Sequence, residues 1–476
     1  MQKKINILMD SDSYKFSHFP QYPVDSVNAY EYAEARSLEN YEKLLFVGLY
    51  GMVKEYFTSP ITKEDVLEAE MYAKSHGEPF NKNGFMKIVE NHNGLFPVTI
   101  KSVPEGLVIP NKTILFTVEL TENDADLFWL PSWMETFLMR VWYPCTVATR
   151  SYYVKEMLLE MAKKTTHNPN VDFQYHNFGS RGSCVPEAAH LGGFAHLTCF
   201  KGTDNFGALK YAHEIYNEPI ESIAWSIPAT EHSTMSSEGR YGEFNVLKRF
   251  LELNKTAPLV AAVGDTYDIY NYTDIVTSGE FKEKIESGEY PKLVVRPDSE
   301  DPRIVIPKML DIIEKNKVSY DENDLGYKLL RRYSGLWGDG INMSAMRDIC
   351  SILILNGYET SNFAFGSGGW LMQQLHRDCT GFAIKCSEIT HADGSTTEIY
   401  KDPITDPGKK SKKGKVVTYF NKITGEFEVD LINKETPNRI NIIRPLFVNG
   451  VMQKHYTLSG IRNAVDNQLK GNQYEF

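Results

Sequence analysis

Residues 258–268 read PLVAAVGDTYD and residues 292–301 read KLVVRPDSED. In each, a short apolar run stops at Gly or Pro and passes directly into acidic residues, and the second is followed by helical apolar spacing over 303–316. A short strand, a polar loop and a helix make one βα unit of a parallel sheet. The unit recurs through the middle of the chain. VDFQYHNF leads into GSRGS (179–183), ESIAWSI into PATEHST (228–234) and NFAF (362–365) into GSGG. Helical segments are predicted at 207–217 and at 344–356, the latter with Met346, Ile349 and Leu353 ahead of Gly357. Right-handed crossovers put these strand-end loops on one edge of the sheet, where barrel enzymes build their sites. The predicted fold is an α/β barrel over residues 146–386.

The flanks read differently. Residues 1–145 mix predicted strands (VNAYEYAEA, LFPVTIKSV, TILFTVEL) with predicted helices at 44–57 and 62–76, and residues 387–476 return to turn-rich strands such as KVVTYFN and TGEFEV. Neither flank alone has enough apolar area for a core, so the two are expected to form one smaller mixed α+β domain.

The 476 residues include 51 Lys+Arg and 62 Asp+Glu, a formal charge of −11. That balance argues against general nucleic-acid binding, which needs a large basic excess on one face. It leaves room for a local basic pocket. No apolar run approaches the ~18 residues of a membrane helix, and the apolar run before Asp10 is too short for a signal-peptide core. The six cysteines form no Cys-x-x-Cys pair, so neither a disulfide scaffold nor a cysteine metal site is expected. The expected location is the cytoplasm, with no membrane and no nucleic-acid partner.

The strand-end loops hold the candidate chemistry. FGSGGW (365–370) lets backbone N–H groups approach an anion, though a tight turn uses the same residues; Arg377 and Lys385 follow it. VVRPDSED offers Arg296 for bidentate phosphate contacts and Asp298 for ribose hydroxyls or hydrated Mg²⁺, against the plain alternative of a loop salt bridge. In GDTYD, Asp265 and Asp268 begin a predicted helix that either one caps. Asp339 lies between glycines in WGDG. His232 in PATEHST is positioned as a base or phosphoryl acceptor. Phe178 and Arg181 in HNFGSRG suit a flat heterocycle beside a phosphate, and Asp204 in KGTDNFG suits an amide donor. The six lysines of 401–415 fit a solvated loop and a polyphosphate-attracting cluster equally well.

These motifs, with DSYKFSHFPQYP (12–23), HLTCFKGTDN, QQLHRD, IKCS and KDPITDPGKKSKKG, stand in the order seen in nicotinamide phosphoribosyltransferases. The chain resembles a microbial or viral member of that family from about residue 5 into the 460s. The resemblance implies the irregular α/β barrel of type II phosphoribosyltransferases, a homodimer with sites at the interface, and Mg²⁺ as cofactor. It implies transfer of phosphoribosyl from 5-phosphoribosyl-1-pyrophosphate (PRPP) to nicotinamide in NAD salvage. By motif, Phe178 and, from the partner subunit, Tyr14 stack on the ring, Asp204 accepts from the carboxamide, and Arg181 and Ser226 lie nearby. Asp268, Asp298 and Arg296 face ribose, Mg²⁺ or its waters; Asp339 holds ribose hydroxyls; Gly368 and Gly369 cradle phosphate. Arg36, Arg377, Lys385 and Lys401 reach phosphates. His232 matches the histidine that ATP, as co-substrate, phosphorylates.

Three departures from the family pattern are Ser180, where vertebrate relatives carry Tyr, Gly264 in place of Ser, and Glu300 in place of Gly. They are expected to reshape the pocket and its inhibitor sensitivity with activity kept. The nearest rival is a nicotinate phosphoribosyltransferase, against which Asp204 argues because a carboxylate repels nicotinate's own. A catalytically silent dimer does not explain why histidine, carboxylate, glycine loop and aromatics occur together. Another sugar-phosphate barrel enzyme explains the glycines but not Phe178 with Asp204.

Overall fold

A computed structural model describes residues 6–36, 41–405, 410–474 and 476. The chain divides into two compact units, one of residues 150–211 and 219–374, the other of 1–149, 212–218 and 375–476.

The first unit is built on six parallel strands, in the order Gly202–Thr203, Tyr175–Asn177, Phe363–Ser367, Tyr333–Trp337, Lys292–Arg296 and Leu259–Val263. Parallel bridges Gly202↔Trp225 and Ala229↔Ala261 join the two edges through the segment 225–229, so that the sheet comes round on itself. Helices Pro186–Leu197, Ile269–Val276, Pro302–Lys315 and Met343–Leu355 supply crossovers between strands. Side chains alternate between faces along a strand. Ala261, Val294 and Leu336 pack together, with Phe178, Ile227, Leu259 and Ala364 against them. Two residues beyond Val294, Leu336 and Ala364 come Arg296, Gly338 and Gly366, so the period that fills this core also sets which residues emerge at the strand ends. The predicted ESIAWSI strand is corrected: Ile220–Ile223 is a short helix, and only isolated bridges at Trp225 and Ala229 follow it. Pro219 and Pro228 flank the segment, and a proline lacks the N–H that a continuous ladder requires.

The second unit holds a seven-stranded sheet to which both chain ends contribute. Ser26–Ala35 lies antiparallel between Phe382–His391 and Phe116–Leu120, and Val98–Ser102 pairs with Phe116–Leu120 and Arg444–Val448. This unit takes the larger share of the chain, where a smaller companion was expected. The predicted helix over 44–57 resolves into the strand Lys43–Phe46 and the helix Leu49–Phe57. Gly48 between them has φ +102° and ends the strand. Among the described residues, no helix is long and apolar enough to cross a membrane.

Candidate active site

Eleven of the expected site residues stand at the strand ends of the barrel unit or on the loops that follow them. Phe178 follows the Tyr175–Asn177 strand, and its N–H donates to the Ser367 carbonyl at 2.9 Å, which brings HNFGSRG against the glycine loop FGSGG. The Phe178 ring is half-buried, with the Arg296 guanidinium carbon 5.8 Å from its centroid. On the adjoining strand, the Asp204 N–H donates to the carbonyl of Asn177, the residue before Phe178, at 3.1 Å. The Ser226 hydroxyl donates to Asp204 Oδ1 at 2.5 Å, fixing one carboxylate oxygen and leaving Oδ2 for another donor. Arg181 is exposed on the same loop as Phe178. His176, on the strand leading to Phe178, is held below the usual imidazole range by burial and hydrogen-bonds the Phe173 carbonyl through Nε2 at 2.8 Å.

A second group lies around Asp298. Arg296 donates to Asp298 Oδ1 through Nε at 3.1 Å and Nη2 at 2.9 Å, and to Oδ2 through Nη2 at 3.0 Å. This is the loop salt bridge anticipated as the plain alternative, and it also aims a planar cation and a carboxylate at the same rim. Gly338 admits the pair closely: a Cβ there would lie 3.3 Å from Asp298 Oδ1. Asp339 is exposed next to it. Asp268 caps the Ile269–Val276 helix, its Oδ1 accepting from the N–H groups of Tyr270 and Asn271 at 3.0 Å each.

His232 opens the four-residue helix His232–Met235, and its Nε2 is 2.9 Å from Asp265 Oδ1. Asp265 Oδ2 accepts from the Asp298 N–H at 3.1 Å and the Ser299 hydroxyl at 2.5 Å. The importance of Asp265 was missed, because its three partners come from two other βα loops far away in sequence. The only early signal was its place directly after a strand.

Gly368 and Gly369 connect the Phe363–Ser367 strand to the short helix Gly369–Met372, with Gly369 exposed. Of the departures, Ser180 is exposed. Gly264 faces Tyr272, whose ring carbon Cδ1 would lie 2.5 Å from a Cβ at 264, so a serine there requires the tyrosine to move. Glu300 has φ +72°, the left-handed region that glycine enters without cost.

Five expected residues stand in the antiparallel unit. Tyr14 is exposed and meets His18 edge-on, with centroids 4.9 Å apart. Arg36 Nε pairs with Glu34 Oε1 at 2.8 Å. Lys385 lies opposite Tyr32 in the sheet. Arg377 is exposed, 3.8 Å from Asp378. The Lys401 N–H donates to the Ser411 hydroxyl at 2.8 Å, and its carbonyl accepts from the Ser411 N–H at 2.9 Å. Within the lysine run, Lys410 pairs with Asp402 at 2.8 Å, Lys413 with Glu398 at 2.7 Å, Lys415 with Glu119 at 2.6 Å and Lys412 with Glu34. Much of its charge is therefore neutralised locally; Lys409 lies outside the described residues.

The family model of the nicotinate phosphoribosyltransferase (NAPRTase) family matches residues 173–449, and that of the nicotinamide phosphoribosyltransferase N-terminal domain matches residues 6–100. The nicotinamide phosphoribosyltransferase of Xanthomonas campestris pv. campestris is 38% identical over 97% of this chain and 98% of its own. The nicotinamide phosphoribosyltransferase of Acinetobacter baylyi is 29% identical over 99% of both. The crystal structure of nicotinate-nucleotide pyrophosphorylase from Pyrococcus furiosus, 16% identical, aligns with a TM-score of 0.61 over 100% of this chain and 98% of its own, a likeness of fold. The chain belongs to the NAPRTase family, among its nicotinamide phosphoribosyltransferases.

Proposed function

We infer that this phosphoribosyltransferase of NAD salvage joins nicotinamide to PRPP, giving nicotinamide mononucleotide and pyrophosphate. The observation that carries the reading is the Asp204 carboxylate, with Ser226 donating to Oδ1, on a backbone tied to Asn177, the residue that precedes the aromatic Phe178. An aromatic face takes a flat ring, and a carboxylate accepts from a carboxamide N–H but opposes a second carboxylate.

The pyridine nitrogen already carries a lone pair, so attack at ribose C1 needs no general base. The N–C1 bond forms as the C1–O bond to pyrophosphate breaks, and the electron pair leaves with the pyrophosphate. Phe178, with Tyr14 of a second copy in a homodimer, aligns the ring. Arg296, Arg181 and the glycine loop face the phosphates, joined by Arg36, Arg377, Lys385 and Lys401; Asp339 takes ribose hydroxyls. Preorganised charge of this kind stabilises the oxocarbenium-like ribose and its leaving group.

The donor set fits Mg²⁺ carried by the substrate. Asp298 and Asp268 offer hard carboxylate oxygens, and Mg²⁺ binds through one or two carboxylates together with substrate phosphates. When bound, the ion would neutralise charge on the departing pyrophosphate. ATP acts as co-substrate by giving its γ-phosphoryl to the His232 imidazole with release of ADP; water later cleaves the P–N bond. The added negative charge acts by the rules of other phosphorylations. The cytoplasm is the expected location.

Product analysis with nicotinamide and with nicotinate, each with and without ATP, tests the reading. Nicotinamide mononucleotide is expected from nicotinamide, with more formed when ATP is present. Equal or better use of nicotinate overturns the substrate assignment, and indifference to ATP overturns the role of His232.

A further inference from the structure

Asp265 takes part in none of these steps, yet it stands between two residues that do. Oδ1 is bonded to His232 Nε2, and Oδ2 accepts from the Asp298 N–H and the Ser299 hydroxyl. Its side chain is 6% exposed, against 50% for His232. A nearly desolvated carboxylate thus backs an open imidazole, and hydrogen bonds to a charge shielded from water are strengthened and respond to one another. Beyond Asp265, Arg296 grips the Asp298 carboxylate, and Glu300 holds its positive φ, a conformation that persists where surrounding bonds over-determine the turn.

We propose that Asp265 is a positioning residue that couples the state of His232 to the turn carrying Asp298, and thereby to the binding of PRPP. The proposal rests on His232 and Asp298 serving the reaction described above. A change of charge or proton at His232 alters how strongly Oδ1 is engaged, and the same carboxylate holds the 298–299 turn through Oδ2. Asparagine at 265 separates the two ends. Its carboxamide oxygen still accepts from the turn, while its NH₂ faces His232 Nε2 and forces that nitrogen to accept, which fixes the other, neutral tautomer. The turn is retained and the link to the imidazole is changed.

Asp265→Asn, His232→Ala and the double variant are compared by kcat and by separate KM values for PRPP and nicotinamide. Asp265→Asn is expected to raise the KM for PRPP about tenfold and to leave the KM for nicotinamide within about twofold, since Phe178, Asp204 and Ser226 are untouched. Placed on His232→Ala, it adds less than about twofold. A joint rise of both KM values, no rise, or effects that multiply in the double variant overturns the proposal. Ser299→Ala removes one donor to Oδ2 and serves if Asp265→Asn does not fold; it too raises the KM for PRPP alone, and an unchanged value overturns the coupling. Calorimetric titration of PRPP into each variant repeats the cycle without turnover. Wild-type protein that binds PRPP but makes no nicotinamide mononucleotide overturns the assigned reaction, whereas an unvaried Kd across the variants overturns the positioning role.

Discussion

The Phe178 ring occupies the space that any side chain at Gly366 would fill: a Cβ there would lie 2.0 Å from ring carbon Cε2 and 2.2 Å from Cδ2. Gly366, inside the Phe363–Ser367 strand, therefore makes room for the ring. In Gly366→Ala the ring must swing out of its place, while the backbone at 366 tolerates alanine because its φ is not positive. The KM for nicotinamide is expected to rise about tenfold, the order of one lost aromatic contact, with the KM for PRPP little changed. Steady-state kinetics with each substrate varied in turn checks this; equal rises in both would place the damage in the phosphate loop.

Asp204 offers a sharper test of selectivity. Ser226 donates to Oδ1, which leaves Oδ2 open to a carboxamide N–H. Asp204→Asn replaces that charged acceptor with a neutral group that no longer repels a carboxylate. The ratio of kcat/KM for nicotinamide to that for nicotinate is expected to fall about 10- to 100-fold, matching a hydrogen bond to a charged group. An unchanged ratio would remove Asp204 from substrate recognition.

The strand-loop-helix rhythm was legible because it rests on local chemistry: Val294 and Arg296 share a face by alternation, and Asp301 and Asn342 cap helices that start where their sequence says. Residues 44–57 were misread because Leu44, Leu45 and Phe46 suit a helix as well as a strand; pairing with Leu107–Pro110, more than 60 positions away, decides for the strand. The site divides in the same way. Phe178, Asp204 and His232 are visible from residue type and loop position. The Asp265 junction exists only after three βα units have been brought together. The lysine run shows the reverse: its charge is plain in sequence, but Glu34 and Glu119, which pair with Lys412 and Lys415, come from distant strands.

Glu300 carries a cost that substitution relieves. A side chain in the left-handed region is disfavoured by about 1–2 kcal/mol, part of which glycine returns as extra freedom in the unfolded chain. Glu300→Gly is therefore expected to stabilise the barrel unit by about 0.5–1 kcal/mol, read as a small rise in Tm. A fall in Tm would mean that the glutamate side chain contributes more than its backbone costs.

Glu105 makes stability depend on pH. It is fully buried, accepts from the N–H groups of Gly48 at 2.9 Å and Tyr50 at 2.8 Å through Oε1, and accepts from the Tyr216 hydroxyl at 2.9 Å through Oε2. Burial outweighs these bonds and pushes its carboxyl up to about 7 from 4.5. Between those values the folded protein keeps a proton that the unfolded chain has released, so stability falls as pH rises from about 4.5 to about 7 and is level above that. Glu31, also pushed up to about 7 by burial, adds a slope of the same sign. In Glu105→Gln the amide oxygen still accepts from the two N–H groups, and its NH₂ donates to the Tyr216 oxygen. The variant is expected to melt close to wild type near pH 5 and above it at pH 8, which thermal melts across pH 4.5–8 would show. Wild-type and variant curves that run parallel would mean that Glu105 is already ionised when folded.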